Sequence, residues 1–402
     1  MPRVGARENG MRVTCFIDSL ISGGAQRQLC TLAVLLKRRG IDVSLLTYQP
    51  FDFFLPMIRQ AGIGYRCLHH PSLARRALAL RSALRRGDQD VVLAFQDNCS
   101  FYAELAALPA RRWGLIVSER NAAPGSRRFK EQARRRLHTV ADYVTTNSHT
   151  NRLLIERSVP GLVGRVATIY NALDLEAFSP GPPSPREDHR LHIVVAARYS
   201  HQKNVPAFVE AVALARAQAP HLDIAVDWYG YDPFSERPLP QPTPFQAAST
   251  LIARHGLENR FRLHPDSKDV IALYRRADAV ALPSLFEGLP NTICEAMACG
   301  RPILMSNVCD AGNLVRDGQN GFLFDPGSPE DMARAILAMG KRRAAEREAM
   351  GVRARAMAEA MFNPSCFTDK YVELLEAAAS RKRIAISHWV PEIPATAYQI
   401  AG

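Results

Sequence analysis

Short apolar runs alternate with longer amphipathic segments along the chain. Residues 11–17 form an apolar run typical of a buried strand, a loop with two glycines follows, and a helical pattern then extends from about residue 25 to 39. Together with the next apolar run, residues 42–47, this order predicts a βαβ unit. Similar apolar runs continue the series at residues 90–95, 113–118, 143–147 and 166–170. The expected product is a mostly parallel sheet covered on both faces, with ligand-binding loops at the carboxyl ends of its strands.

A proline-rich stretch interrupts this series and predicts a linker, after which apolar runs and helical patterns alternate again. A chain of 402 residues also exceeds what one hydrophobic core usually serves. We therefore expect two α/β domains with a cleft between them. The predicted segments are a disordered start, a first domain, the linker, a second domain and a helix or tail that packs back on the first domain: residues 1–10, 11–177, 178–190, 191–375 and 376–402. Residues 233–244 carry further prolines and predict a surface excursion.

Composition narrows the class of protein. Charged residues make up 22% and apolar residues 47% of the chain, which is typical of a globular protein. No apolar run reaches the roughly 20 residues that span a bilayer, and residues 1–10 lack the apolar core of a signal peptide. The eight cysteines are scattered without a Cys-x-x-Cys pair, as expected for reduced thiols in a cytosol. We expect a cytoplasmic protein, either soluble or peripheral on the inner face of a membrane.

The positive charge is concentrated in the first part of the chain. Residues 1–150 carry 23 Lys and Arg against 11 Asp and Glu, whereas residues 151–402 carry 28 of each. One predicted helix of this part has arginines around an apolar stripe made of Leu73, Ala77, Leu80 and Leu84. These arginines are either simply solvated or attract an anionic membrane surface. Nucleic acid is not the expected partner, because no recognition motif accompanies the charge.

Residues 286–300 are the most informative segment, because Glu287 and Glu295 flank a predicted helix start. The turn that opens the helix consists of Gly288, Leu289, Pro290 and Asn291. Glu287 then lies in the loop and Glu295 about two turns along the same face. Free backbone N–H groups at a helix start suit a phosphate, while carboxylates accept hydrogen bonds from sugar or ribose hydroxyls. The combination predicts a nucleotide sugar as ligand; the alternative is an ordinary surface helix.

A second candidate element is the loop after the first strand of the second domain. Arg198 ends that strand and Lys203 follows five residues later, so two cations can clamp a diphosphate and stabilise it as a leaving group. The alternative is a pair of solvated side chains in a loop. No His/Cys cluster has zinc spacing and no Asp-x-Asp pair offers a magnesium site. We therefore expect neither a metal nor a cofactor.

Gly23 and Gly24 follow the first strand of the first domain, where a side chain would obstruct close approach of a ligand to the backbone. The loop is not a Gly-x-Gly-x-x-Gly fingerprint, so a dinucleotide cofactor is weakly supported.

The segment around Glu287 and Glu295, together with residues 274–284 and 317–324, resembles the donor-binding half of the retaining glycosyltransferases of family 4. The resemblance extends over residues 13–375. It implies the GT-B fold, two facing Rossmann-like domains with a central cleft, with the nucleotide mainly on the C-terminal domain. It also implies that Glu295 holds the ribose hydroxyls, that Glu287 contacts the donor sugar, and that the turn after Glu287 supplies backbone groups at the phosphate end.

By the same resemblance, Arg198 and Lys203 match the diphosphate-binding Arg and Lys of the family. Gly23 and Gly24 match a glycine-rich loop that faces the donor phosphates across the cleft.

The first domain departs from the family pattern at one place. Many members have a histidine where this chain has Arg120, within a Ser-Glu-Arg-Asn sequence that is similar to some bacterial polysaccharide and glycan-assembly transferases. We expect Glu119, Arg120 and Asn121 to contact the acceptor or the sugar, without an assigned chemical step. Asp97 and Asn98 lie at the right end of the sheet to touch an acceptor, although Asp97 is equally suited to cap a helix.

The resemblance implies sugar transfer from a nucleoside diphosphate sugar to an acceptor hydroxyl with retention, with Glu287, Arg198 and Lys203 as the catalytic residues. Front-face attack, in which the leaving phosphate helps take the acceptor's proton, needs no dedicated base; double displacement through Glu287 is the alternative. The expected acceptor is a lipid-linked or polysaccharide glycan. Three alternative functions are considered. The protein could be another GT-B enzyme, such as a nucleotide-sugar epimerase or a phosphorylase, a non-catalytic protein that binds sugar nucleotides or lipid, or a nucleic-acid-binding protein.

Overall fold

The computed structural model describes residues 10–120, 128–182, 190–233 and 241–386. The chain divides into two compact units. The first unit comprises Met1–Ala172 and Pro364–Val390, and the second comprises Leu173–Asn363 and Pro391–Gly402. Four predicted segments fall wholly or partly outside the described residues: the start (1–9), the linker (183–189), the proline-rich excursion (234–240) and the tail (387–402). No helix in the described ranges is long and apolar enough to cross a bilayer.

The strands of the first unit are β1 (Arg12–Phe16), β2 (Asp42–Thr47), β3 (Gly64–Cys67), β4 (Val91–Phe95), β5 (Gly114–Glu119), β6 (Tyr143–Thr146) and β7 (Val166–Thr168). Across the described residues they form one parallel sheet in the order β3-β2-β1-β4-β5-β6-β7. All five residues of β4 are buried, because helices cover both faces of a parallel sheet.

The helices of the first unit are α1 (Gly24–Arg38), α2 (Leu55–Gln60), α3 (Leu73–Arg86), α4 (Asp97–Ala107), α5 (Arg128–Leu137), α6 (His149–Ser158) and the C-terminal helix α14 (Pro364–Ser380). They pack two hydrophobic cores against the sheet, one on each face. The predicted first helix, residues 25–39, agrees with α1 to within one residue at each end.

The strands of the second unit are β8 (Arg190–Ala196), β9 (Asp223–Tyr229), β10 (Phe261–His264), β11 (Ala279–Leu282), β12 (Ile303–Ser306) and β13 (Gly321–Phe324). In the part of the chain that the structure describes, they form a parallel sheet in the order β10-β9-β8-β11-β12-β13. The helices of this unit are α7 (Val205–Gln218), α8 (Pro244–Arg254), α9 (Val270–Arg276), α10 (Asn291–Ala298), α11 (Ala311–Leu314), α12 (Pro329–Gly340) and α13 (Ala344–Met361).

The strand order reverses once in each sheet, between β1 and β4 in the first unit and between β8 and β11 in the second. At such a point the loops that follow the two central strands run to opposite sides, which leaves a crevice at the carboxyl edge of the sheet. The predicted site residues lie at the ends of β1, β4, β5, β8 and β11 or in the loops and helices that directly follow these strands, at or beside the reversals.

The predicted domain boundary at residue 375 is wrong. Helix α14 begins at Pro364 and belongs to the first unit, where Phe367, Tyr371 and Leu374 are buried in the same core as β1 and β4. The absence of a side chain at Gly114 explains how closely α14 approaches β5, because a Cβ there would lie 2.5 Å from the carbonyl oxygen of Ala378.

Candidate functional site

A pocket of about 350 Å³ opens at the carboxyl edge of the sheet in the second unit. The loops after β8, β9, β10 and β11 and the first turns of α10 form its walls. Its lining includes Arg198, Lys203, Glu287, Leu289, Pro290, Asn291 and Glu295. The structure therefore brings together, within one unit, two acidic and two basic residues that were selected from the sequence.

Lys203 and Glu287, which both line this pocket, form an ion pair. The two side chains are only 14% and 9% exposed, so the pair is largely shielded from water. An ammonium group has three donors, and binding one carboxylate oxygen leaves it able to donate to a second anion. The ion pair thus places a cation with remaining donor capacity beside the start of α10.

Backbone and side-chain hydrogen bonds join the loop after β8 to the loop after β11. Leu285 N donates to the carbonyl oxygen of Gln202 at 2.8 Å, and Gln202 Nε2 donates to the carbonyl oxygen of Phe286 at 2.8 Å. One turn into α10, Thr292 Oγ1 donates to the carbonyl oxygen of Ala196 at 2.9 Å. These bonds fix the positions from which Lys203 and Glu287 meet.

Glu295 lies inside α10 and is 6% exposed. Tyr274, from α9, donates its hydroxyl to Glu295 Oε2 at 3.2 Å. Burial and the nearby Glu295 carboxylate raise the pKa of Tyr274 well above its usual range, so the phenol stays a donor. The bond orients the carboxylate at the wall of the pocket.

Arg198 lies at the pocket wall and is exposed. We find no hydrogen bond or ion pair for its guanidinium group in the described ranges. Gly288 does not line the pocket. Its carbonyl oxygen accepts a hydrogen bond from Cys309 Sγ, which ties the loop before α10 to the segment after β12.

Gly230, Tyr274 and Thr292 also line the pocket, although none of them was predicted as a site residue. A Cβ at Gly230 would meet the carbonyl oxygen of Ala197 far inside van der Waals distance, so only glycine lets the end of β9 approach the end of β8 this closely. The available signal was a glycine directly after an apolar strand. Tyr274 and Thr292 lie within segments that the sequence singled out, but the local sequence assigned neither a role, because their partners come from other elements.

In the first unit, Gly23 and Gly24 lie at the start of α1. Gly23 precedes the helix in an extended conformation, and α1 begins at Gly24. A Cβ at Gly23 would collide with the side-chain oxygen of Gln26, whose Nε2 donates to Asp18 Oδ1 at 3.0 Å. The glycine thus leaves room for a hydrogen bond that ties the loop after β1 to the first turn of α1.

Glu119 was predicted to contact the acceptor or the sugar, but the structure places it inside the first unit. It is 3% exposed, and Arg135 donates to both of its carboxylate oxygens at 2.5 to 3.2 Å. His138 lies between Glu104, at 2.5 Å, and Glu119, at 3.4 Å. The carboxylate of Glu119 is thus committed to a buried ionic network, and the prediction of an acceptor contact is not supported by its position.

The protonation of this network follows from its geometry. Burial by itself would lower the pKa of His138, but Glu104 and Glu119 outweigh it and raise that pKa to about 9. Burial would raise the pKa of Glu119, but His138 and Arg135 lower it overall. At neutral pH His138 is therefore a cation between two carboxyl groups.

Asp97 is the first residue of α4 and pairs with Arg134 at 2.7 Å, while Gln96 occupies the cap position. The capping role considered for Asp97 is therefore not what the structure shows. Asn98 is exposed on the same helix, and Asn121 lies outside the described residues.

Arg120 is 6% exposed and lies over the ring of Phe95, with 4.7 Å between the guanidinium carbon and the ring centroid. It also donates to Asn171 Oδ1. Burial lowers the pKa of Arg120 from its usual value. Its packing inside the first unit leaves little surface for a ligand.

Two family models match the chain. "Glycosyltransferase Family 4" matches residues 22–177, and "Glycosyl transferases group 1" matches residues 190–341. Together they cover more than half of the chain and include the pocket in the second unit.

Curated relatives are similar over different lengths. A D-inositol 3-phosphate glycosyltransferase from Arthrobacter sp. is 28% identical over 42% of this chain, and the alignment spans only 40% of that protein. A Campylobacter jejuni enzyme is 26% identical over 81% of this chain and 87% of its own length. Its name describes an α-1,4-N-acetyl-D-galactosaminyltransferase that acts on a glycan linked to undecaprenol through a diphosphate.

Solved structures with a similar fold cover nearly the whole chain. Anabaena HepE in complex with UDP has a TM-score of 0.76 at 21% identity and covers 91% of this chain and all of that one. A glycosyltransferase from Rickettsia africae has a TM-score of 0.76 at 17% identity, covering 92% and 99% of the two chains. At these sequence identities the similarity to the solved structures shows a shared fold.

Proposed function

Because the chain belongs to the group 1 and family 4 glycosyltransferases, we propose that it transfers a sugar from a nucleoside diphosphate sugar to an acceptor hydroxyl with retention. The predicted GT-B fold and the predicted enzyme class, a glycosyltransferase, are confirmed. The observation that carries the proposal for donor and mechanism is that Arg198, Lys203, Glu287 and Glu295 all line one pocket.

The pocket suits the successive parts of a nucleotide sugar. Arg198 and Lys203 bind the diphosphate, assisted by backbone N–H groups at the start of α10. Glu295, held by Tyr274, accepts hydrogen bonds from the ribose hydroxyls. Glu287 contacts the sugar beside the reacting carbon. Because Lys203 binds Glu287 and still has donors left, it links the sugar end of the site to the leaving phosphate.

The arrangement supports front-face transfer. When the bond between sugar and phosphate breaks, negative charge develops on the diphosphate, and Arg198 and Lys203 stabilise it. The leaving phosphate oxygen takes the proton of the acceptor hydroxyl, so no further base is required. In double displacement Glu287 would attack the anomeric carbon, but its ion pair with Lys203 makes its carboxylate a weaker nucleophile. The two cations also replace the metal that other transferases use, so we propose transfer without one.

We propose a lipid-linked glycan as the acceptor, with the protein in the cytoplasm at the inner membrane face. Two observations support this: the surplus of positive charge in residues 1–150, and the similarity to the Campylobacter enzyme over most of both chains. A soluble acceptor such as an inositol phosphate is the second candidate, because several relatives carry that name.

A thermal-shift screen with nucleoside diphosphates and their sugars tests the donor site, because a ligand of the native state raises the melting temperature. We expect one nucleotide to stabilise the wild type and the control Lys268→Ala, whose side chain is exposed outside the pocket, but to stabilise Lys203→Ala less. Labelled donor is then incubated with a diphosphate-linked lipid glycan or with inositol phosphate, and the product identifies the acceptor. Donor binding without turnover on any acceptor would contradict the proposed activity.

A further inference from the structure

Arg120 carries a buried positive charge that no carboxylate neutralises in the described ranges. Its guanidinium group donates to Asn171 Oδ1 and lies over the ring of Phe95, and both of these partners are uncharged. Residues 121–127, which follow Arg120 in the chain, contain no Asp or Glu. Burying a charge is costly unless an opposite charge compensates it, so a counter-charge for Arg120 is expected.

Two hydroxyl groups lie beside this guanidinium group. Ser118, in β5, and Tyr371, in α14, are both fully buried. Ser118 is the strand partner of Phe95 in the β4–β5 pair, and the ring centroids of Tyr371 and Phe95 are 6.2 Å apart. Burial raises the pKa of Tyr371, and the neighbouring guanidinium group of Arg120 and hydroxyl group of Ser118 partly oppose this rise. The three polar side chains therefore meet beside one phenylalanine ring.

Each of these three side chains has an unused hydrogen-bond donor. Among the residues that the structure describes, Arg120 Nη1, Ser118 Oγ and Tyr371 Oη are buried without a hydrogen-bond partner. A guanidinium group can only donate, and both hydroxyl groups can donate as well. A water molecule would accept these hydrogen bonds but would leave the positive charge uncompensated. Three donors beside such a charge match the coordination of an anion.

We propose that Arg120, Ser118 and Tyr371 bind a small monovalent anion, of the size of chloride, inside the first unit. The small size follows from burial, because a glycan or a lipid headgroup needs exposed surface that these side chains lack. The anion compensates the charge of Arg120 while the guanidinium group donates to Asn171. Asn171 lies one residue before Ala172, where the first unit gives way to the second along the chain. The anion therefore stabilises the end of this segment of the first unit.

Thermal unfolding of the full chain tests the site. The melting temperature is measured at pH 7 and constant ionic strength while sodium chloride replaces sodium gluconate, whose anion is too large to be buried there. A ligand of the native state raises the melting temperature, so chloride should stabilise the wild type in a saturable manner. In Arg120→Met no charge remains to be compensated, and the two salts should give equal melting temperatures. The control Arg112→Met, which changes an exposed arginine just before β5, should respond like the wild type.

The readout is the difference between the two salts, because loss of the hydrogen bond to Asn171 lowers the melting temperature of Arg120→Met equally in both. The hydroxyl groups supply two further variants that keep the charge. Ser118→Ala and Tyr371→Phe each remove one donor to the anion, which should raise the chloride concentration for half-maximal stabilisation about tenfold.

A crystal grown in sodium bromide shows the ion directly, because bromide scatters anomalously. We expect an anomalous peak within hydrogen-bond distance of Arg120 Nη1, Ser118 Oγ and Tyr371 Oη. Equal melting temperatures of the wild type in chloride and gluconate overturn the proposal, and so does an undiminished response to chloride in Arg120→Met. A crystal that holds a water molecule at this position and no bromide also overturns it.

Discussion

Single side chains of the pocket in the second unit depend on partners from other elements. Lys203 is paired with Glu287 from a different loop, and Glu295 is oriented by Tyr274 from a different helix. A substitution in this pocket therefore removes both the side chain and the constraint that it places on its partner.

Replacement of Lys203 by Ala should mainly affect turnover. In the proposed mechanism the ammonium group stabilises charge that develops as the diphosphate leaves, so kcat should fall about 100- to 1,000-fold while the KM for donor changes less. Steady-state kinetics with Lys268→Ala as the control measures both parameters. Wild-type kcat in Lys203→Ala would contradict the assignment.

Replacement of Glu295 by Ala should instead weaken nucleotide binding. Loss of a charged acceptor for hydroxyls is expected to raise the Kd for the nucleoside diphosphate about 10- to 100-fold. Calorimetric titration of Glu295→Ala is compared with Glu258→Ala, an exposed residue outside the pocket. The conservative variant Tyr274→Phe, which only frees the carboxylate, should show a smaller increase. An unchanged Kd in Glu295→Ala would place the ribose elsewhere.

At the scale of elements, two kinds of strand differ in how well the sequence predicts them. Central strands such as β4 are continuous apolar runs and were predicted within a residue. The edge strands β3 and β10 were missed, because each alternates polar with apolar residues over only four positions. The edge strand β7 is a buried apolar run and was predicted, so it is the apolar run, and not the position in the sheet, that makes a strand recognisable.

The buried network around His138 joins α4, β5 and α5 and should make stability depend on pH. The folded-state pKa of His138, about 9, exceeds its unfolded value of about 6.5, so its contribution is fully present below pH 6.5 and is lost as pH rises to 9. The free energy of unfolding should fall by about 3 kcal/mol over this interval. Denaturant unfolding across the interval measures it. In His138→Gln this pH dependence of the free energy of unfolding should largely vanish. An equal dependence on pH in the variant and the wild type would show that other groups cause it.

At the scale of the whole molecule, the chain returns to its first unit after completing the second. Helix α14 contacts β5 where Gly114 leaves space for Ala378. The two ends of the described chain are therefore parts of one core. A substitution that disrupts this contact should lower the stability of the first unit.

Gly114→Val should test this docking. The added side chain collides with the backbone of α14, and overpacking of this kind costs about 1 to 3 kcal/mol of stability. Thermal unfolding and proteolysis near α14 should both report the loss, while any stabilisation by a nucleotide at the proposed site in the second unit should persist. Gly64→Val is the control, because a Cβ there meets nothing within 4 Å. Equal melting temperatures of the two variants would contradict the docking role.

The sequence by itself determined the alternation of strands and helices, the two α/β series and the residues in the second half that the structure gathers around one pocket. These properties depend on local periodicity and on motifs within a few residues, which a linear pattern records directly. Only the tertiary structure decided that Lys203 pairs with Glu287, that Glu119 is buried against Arg135 and His138, and that the return of the chain to the first unit begins at Pro364. Each of these depends on contacts between residues far apart in the chain, where burial and pairing outweigh what the local sequence indicates.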